Sequence, residues 1–134
     1  MNSHNHPMYG SIGAWFYRRL AGIQVPDDAV GMSRVIIRPP LDLSLSGASA
    51  TLGTVRGELS STWRRSDGIA VIDIRIPVGM TADVVLAAGW DVADARHRSL
   101  SATRSAAGSG ETMHTLDAGG HRLELTSHAV APPR

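Results

Sequence analysis

The spacing of the apolar residues changes once along the 134 residues, close to Pro26. Before it, Ile12, Trp15, Phe16, Leu20 and Ile23 recur at three- and four-residue intervals, which puts them on one stripe of a helix. After it, apolar and polar residues alternate, the two-residue period of strands with one buried face. A chain with this change of period is mostly β: an antiparallel β-sandwich preceded by one amphipathic α-helix. The spacing predicts a helix over 11–22, with Ser11 as its N-cap, Arg18 and Arg19 against the negative end of the helix dipole, and Gly22 as the stop. Residues 1–10 read as a polar loop. A helix of three turns is marginal alone in water, because nucleation costs more than a few backbone hydrogen bonds return. The Trp15 and Phe16 face therefore demands a partner, either this chain's own sandwich, a second copy, or neighbouring helices.

The strand half divides at its turns. Residues 25–31 (VPDDAVG) are a connector, and residues 34–38 form a short strand stopped by Pro39 and Pro40. Leu59, Ser61 and Trp63 share one face. After the turn Ser66-Asp67-Gly68, Ala70, Ile72, Ile74 and Ile76 share another, with Asp73 and Arg75 facing away; this is the clearest hairpin. Ala82, Val84 and Leu86 continue the apolar face beyond residues 77–79, with Thr81 and Asp83 outward. Residues 111–116 and 121–126 are expected to pair around the turn 117–120, with Leu123 and Leu125 inward. Residues 96–110, rich in Ser, Ala, Gly and Arg, read as a long loop. About seven short strands with turns between them fit two packed sheets.

Composition narrows the function. At 43% hydrophobic the chain can bury a core without staples, and with no cysteine it has neither disulfides nor thiolate metal ligands. The net charge of +1 comes with 13 dispersed arginines and no lysine, which argues against nucleic acid as a partner. No apolar run approaches the roughly 20 residues that cross a bilayer, and the N-terminus lacks the basic and apolar regions of a signal peptide. The expectation is a soluble protein without membrane contact, cytoplasmic rather than secreted. The motifs of phosphate, dinucleotide and acyl chemistry are absent, and no cofactor is expected.

Three segments carry a resemblance. The run SHNHPMYGSIGAWFYRRLAGI from Ser3 to Ile23, IIRPP from Ile36 to Pro40, and GELSSTWRRSDG from Gly57 to Gly68 resemble the C-terminal part of bacterial α-L-rhamnosidases, glycoside hydrolases built around an (α/α)6 barrel. The resemblance implies that residues 1–24 correspond to the loop and last helix of the catalytic barrel and residues 25–134 to the C-terminal β-sandwich domain. It also implies hydrolysis of terminal α-L-rhamnosyl residues by the intact enzyme, whose catalytic glutamates lie on the barrel, upstream of the part matched here. By this reading the chain is a fragment, inactive alone, with a structural and pocket-completing role. Asn5 and His6, followed by Gly10-Ser11, match the family's Asn-His pair; the resemblance implies that His6 lines the rhamnose pocket and positions a sugar hydroxyl or a catalytic carboxylate. The implied partner of the intact enzyme is a rhamnosylated carbohydrate.

The chain's own residues supply no catalytic set. Glycoside hydrolysis needs two carboxyl groups on either side of the bond, whereas Asp27, Asp28, Asp67 and Asp117 stand in turns and Asp73, Asp83 and Glu124 alternate with buried residues. The six histidines do not form a metal site: His4 and His6 are alone near the terminus, and His97, His114, His121 and His128 are dispersed. Among the aromatics, Trp63 belongs to the core, Trp90 is the candidate for an exposed sugar-stacking ring, and Trp15, Phe16 and Leu20 are a contact surface for a catalytic domain or a second copy. The alternative is an autonomous, non-catalytic carbohydrate-binding or protein-interaction module.

Overall fold

The structure, a computed structural model, describes residues 7–96, 101–104 and 110–128. Helix α1 (Pro7–Arg19) leads into ten strands: β1 (Ile23–Gln24), β2 (Arg34–Ile37), β3 (Gly47–Thr54), β4 (Gly57–Ser66), β5 (Ile69–Ile76), β6 (Thr81–Leu86), β7 (Trp90–Arg96), β8 (Ser101–Arg104), β9 (Thr112–Leu116) and β10 (Gly119–Ser127). The strands make two five-stranded sheets, one in the order β1-β2-β6-β9-β8 and one in the order β3-β4-β5-β10-β7. Every described pairing is antiparallel except β2 with β6. The architecture is the expected sandwich with one helix in front.

A single core joins the sheets. Val35, Ile37, Val84, Leu86 and Leu116 come from the first sheet, and Leu59, Trp63, Ile72, Ile74, Leu123 and Leu125 from the second, all buried. The alternation in β4 and β5 falls as expected, with the inward set fully covered and Asp73 and Arg75 exposed. Their two-residue turn needs positive φ at both positions, and Asp67 (φ 48°) and Gly68 (φ 78°) supply it, residue types that tolerate the left-handed region.

Several expectations are corrected. The helix starts at Pro7, so Ser11 lies inside it and is not its N-cap; proline suits the first helical turn because its missing N–H would have no partner there. Strand β6 does not extend the β4–β5 sheet but crosses to the other one, beside β2 and β9. It is buried on both faces there, so Asp83, expected to face outward, is 9% exposed. Strands β9 and β10 lie in different sheets: β9 pairs with β6 and β8, and β10 with β5 and β7. The segment expected to be a loop over 96–110 contains β8. Trp90 is half-buried and packs against the core, so it is no exposed platform.

Candidate functional site

The junction of α1 with the sandwich is built by the residues that end the helix. Arg19 is its last residue, and Phe16 O accepts from both Leu20 N at 3.0 Å and Ala21 N at 3.3 Å. Gly22 then turns the chain with φ 73°, and its carbonyl accepts from Arg38 N at 2.8 Å, which delivers Ile23 into β1 beside β2. A Cβ at Gly22 would sit 2.1 Å from Arg38 O, so no other residue fits the crossing.

Two side-chain hydrogen bonds fasten the helix end to the second sheet. The buried Trp63 indole donates from Nε1 to Leu20 O at 2.8 Å, and the Tyr17 hydroxyl donates to Thr51 O at 3.0 Å on the edge strand β3. Ala21 is buried and Tyr17 packs against the core. The contact of the helix with the sandwich is thus carried by its last turn and the residues that follow it. The N-terminal part of its apolar stripe is not covered: Ile12 is 54%, Trp15 52% and Phe16 49% exposed. The Trp15 and Phe16 rings meet edge to face, with centroids 5.4 Å apart.

Beside Trp15 runs an open groove of about 810 Å³ between the helix and the Pro39-Pro40 corner, lined also by Arg18, Arg19, Gln24, Arg38, Asp42 and Glu111. Across it Arg38 Nη1 donates to Glu111 Oε1 at 2.7 Å. No sequence pattern announces this groove, because its walls come from segments far apart in the chain.

Several of the carboxylates are engaged in structure. Asp83 accepts from Thr115 Oγ1 at 2.7 Å, with Arg34 Nε 3.9 Å away. Asp28 meets Arg34, Asp73 meets Arg122, and Asp91 meets His128 at 2.9 Å. Among the described residues no group of three or more His, Asp or Glu could hold a metal ion. The buried His121 donates from Nε2 to Asp117 O at 2.7 Å and closes the turn into β10. His114 has its pKa lowered by burial, against the opposing pull of Asp91, and its buried Nδ1 finds no hydrogen-bond partner among the described residues. No described helix is long and apolar enough to cross a membrane. Asn5 and His6, the expected sugar-contacting residues, lie outside the described residues, as do His4 and His97.

A two-sheet sandwich entered through a helix with a bare apolar stripe defines a domain type, and comparison with known proteins gives it a family. The chain belongs to the bacterial α-L-rhamnosidase C-terminal domain family, whose pattern matches residues 22–99. An α-L-rhamnosidase of Streptomyces avermitilis is 39% identical over 84 residues, which are 63% of this chain and 8% of that protein. One from Formosa agariphila is 39% identical over 84 residues, 63% of this chain and 9% of that protein. The crystal structure of the Streptomyces avermitilis α-L-rhamnosidase complexed with L-rhamnose superposes with a TM-score of 0.68 at 30% identity, covering 92% of this chain and 12% of that one. That of the α-L-rhamnosidase from Dictyoglumus thermophilum superposes with a TM-score of 0.66 at 25% identity, covering 95% of this chain and 15% of that one. The chain therefore spans 8–9% of the length of these two sequence relatives.

Proposed function

We propose that this chain works as the C-terminal portion of an α-L-rhamnosidase, an enzyme that hydrolyses terminal α-L-rhamnosyl residues, and that its part is structural and pocket-completing rather than catalytic. Residues 1–24 carry the loop and last helix of the catalytic barrel and, in β1, the first strand of the sandwich, which continues over residues 25–134. The observation that carries this reading is the reach of the structural likeness. Coverage of 92% of the chain by the Streptomyces avermitilis enzyme cannot be met by the residues from Gly22 onward alone, so the likeness runs into α1. The exposed stripe of Ile12, Trp15 and Phe16 supports it, since a contiguous apolar patch on a small domain marks a contact surface. The neighbouring helices of the barrel cover that stripe, with Leu20 at its inner end, and Asn5 and His6 reach the rhamnose pocket.

The test is a chimera. The corresponding C-terminal segment of the Streptomyces avermitilis enzyme is replaced by this chain, and hydrolysis of an aryl α-L-rhamnoside is measured. The chimera hydrolyses it, His6→Ala in the chimera loses roughly 100-fold or more in rate, the scale of a mispositioned group, and the chain alone shows no turnover above buffer. Turnover by the chain alone, abolished by changing one of its own carboxylates, overturns the reading.

A further inference from the structure

We propose that Trp63 is a positioning residue: through its indole N–H the sandwich fixes the direction in which α1 leaves it. The inference rests on the function proposed above for its significance, but not for its test.

The last carbonyls of a helix have no partner within it, and Leu20 O belongs to the turn that leaves α1. Trp63 Nε1 fills that vacancy at 2.8 Å from a strand at the heart of the second sheet. The dependence is mutual, because a buried indole N–H needs an acceptor, and Trp63 is fully buried. Tyr17 adds a bond to the edge strand, and Gly22 with Arg38 adds one to the first sheet. Beyond Tyr17 toward the N-terminus, Ile12, Trp15 and Phe16 are all about half exposed or more. The helix is thus held at its base and bare along its length.

A rod held at one end magnifies any slack there. Thirteen helical residues span about 20 Å, so a tilt of about 10° at the base swings the far end by roughly 3 Å. Misplacement by about 1 Å at a reacting centre can cost a hundredfold in rate. Trp63 sits where the tilt is set. An apolar residue of the same breadth would fill the core equally well and leave Leu20 O without its donor.

Trp63→Phe separates the two duties, filling most of the volume while removing the donor. The chain has no cysteine, so spin labels can be placed at Gly13→Cys, where a side chain meets nothing within 4 Å, and at Arg75→Cys on the exposed face of β5. The distance distribution between the labels is expected to widen about twofold in Trp63→Phe. Amides of residues 15–20 should exchange roughly tenfold faster, while those of Ile72, Ile74 and Leu123 stay within about threefold. An unchanged distribution, or helix and core amides accelerating together, overturns the proposal, the second because it would make Trp63 a packing residue only. Should Trp63→Phe fail to fold, exchange of the wild-type indole protons decides. The Trp63 proton should exchange at least about a hundredfold more slowly than that of the half-exposed Trp15, and equal rates overturn the proposal. No sugar or catalytic domain enters these measurements, so their failure would leave the rhamnosidase reading standing, and failure of the chimera would leave the positioning role of Trp63 standing.

Discussion

Two tryptophans 48 positions apart in the sequence have opposite fates. Trp63 is fully buried between the sheets and uses its one polar atom on Leu20 O, whereas Trp15 leaves 52% of its surface in solvent beside a groove. The residue type is the same, and both lie in runs of the correct apolar period. The difference is that the partners of Trp63 are supplied by β4, β5 and the helix end, while none of the described elements covers Trp15. A sequence pattern reports which face of an element is apolar; whether the chain contains the surface that covers it is a separate question. Among the described residues the answer differs between the helix and the sandwich, and four perturbations of graded size test that division.

The largest effect is expected at the buried tryptophan. Trp63→Ala should cost about 3–5 kcal/mol, the range for truncating a large core aromatic. Chemical denaturation checks it. A midpoint equal to that of the wild type would mean that Trp63 is no better supported than Trp15, and the contrast would collapse.

Next in size is the crossing at the helix end. Gly22→Ala must hold φ near 73° and force a Cβ toward Arg38 O, at a cost of about 1–3 kcal/mol for the strained backbone. The damage should be local: amides of residues 19–24 lose protection before those of β5. Uniform loss would show that helix and sandwich unfold as one unit.

The β4–β5 hairpin was legible because alternation and the Asp67-Gly68 turn agree, and the core residues of β5 follow from it directly. Strand β3, GASATLGT, was missed because it carries a single large apolar residue, Leu52, and earns its place by pairing with β4 rather than by its own pattern. Strand partners were beyond reach for the same kind of reason: inward alternation in β6, β9 and β10 says that each has a buried face but not which sheet that face belongs to. The junction was half legible, since Gly22 announced the helix end, but the bond from Trp63 to Leu20 links residues whose approach only the folded sandwich creates. The proposed sugar contacts at Asn5 and His6 came from family likeness alone and stay a matter for the chimera.

A smaller effect is expected with pH. Burial lowers the pKa of His114, with Asp91 opposing, so the unfolded chain binds the proton more readily than the folded one. Stability is therefore complete above the unfolded value of about 6.5 and is lost as the pH falls from there through the lower folded value. His114→Gln should flatten that part of the stability curve, and Asp91→Asn, which removes the opposing charge, should steepen it. Denaturation midpoints between pH 7.5 and 5 check both. An identical acid slope in wild type and His114→Gln would place the titration elsewhere.

The smallest effect on stability is expected at the exposed ring. Trp15→Ala removes a side chain that is half in water and whose described aromatic contact is the edge of Phe16. Surface substitutions of this kind usually change stability by no more than about 0.5 kcal/mol, and here the better intrinsic helix propensity of alanine works in the variant's favour. The consequence should appear in association instead. Apolar surface left in water gives roughly 25 cal/mol per Å² when it is covered, so a chain retaining Trp15 has something to gain from any partner and one lacking it has less. If the barrel covers the ring as proposed, Trp15→Ala should lower the melting temperature of the chimera, while in the isolated chain it should leave the melting temperature within about two degrees. The same shift in both would mean that Trp15 is already covered within this chain, and a stabilised chimera would mean that the barrel does not touch it. Sedimentation of the isolated chain distinguishes the remaining occupant: self-association that Trp15→Ala abolishes would assign the stripe to a second copy, and a monomer at every concentration leaves it to the catalytic domain.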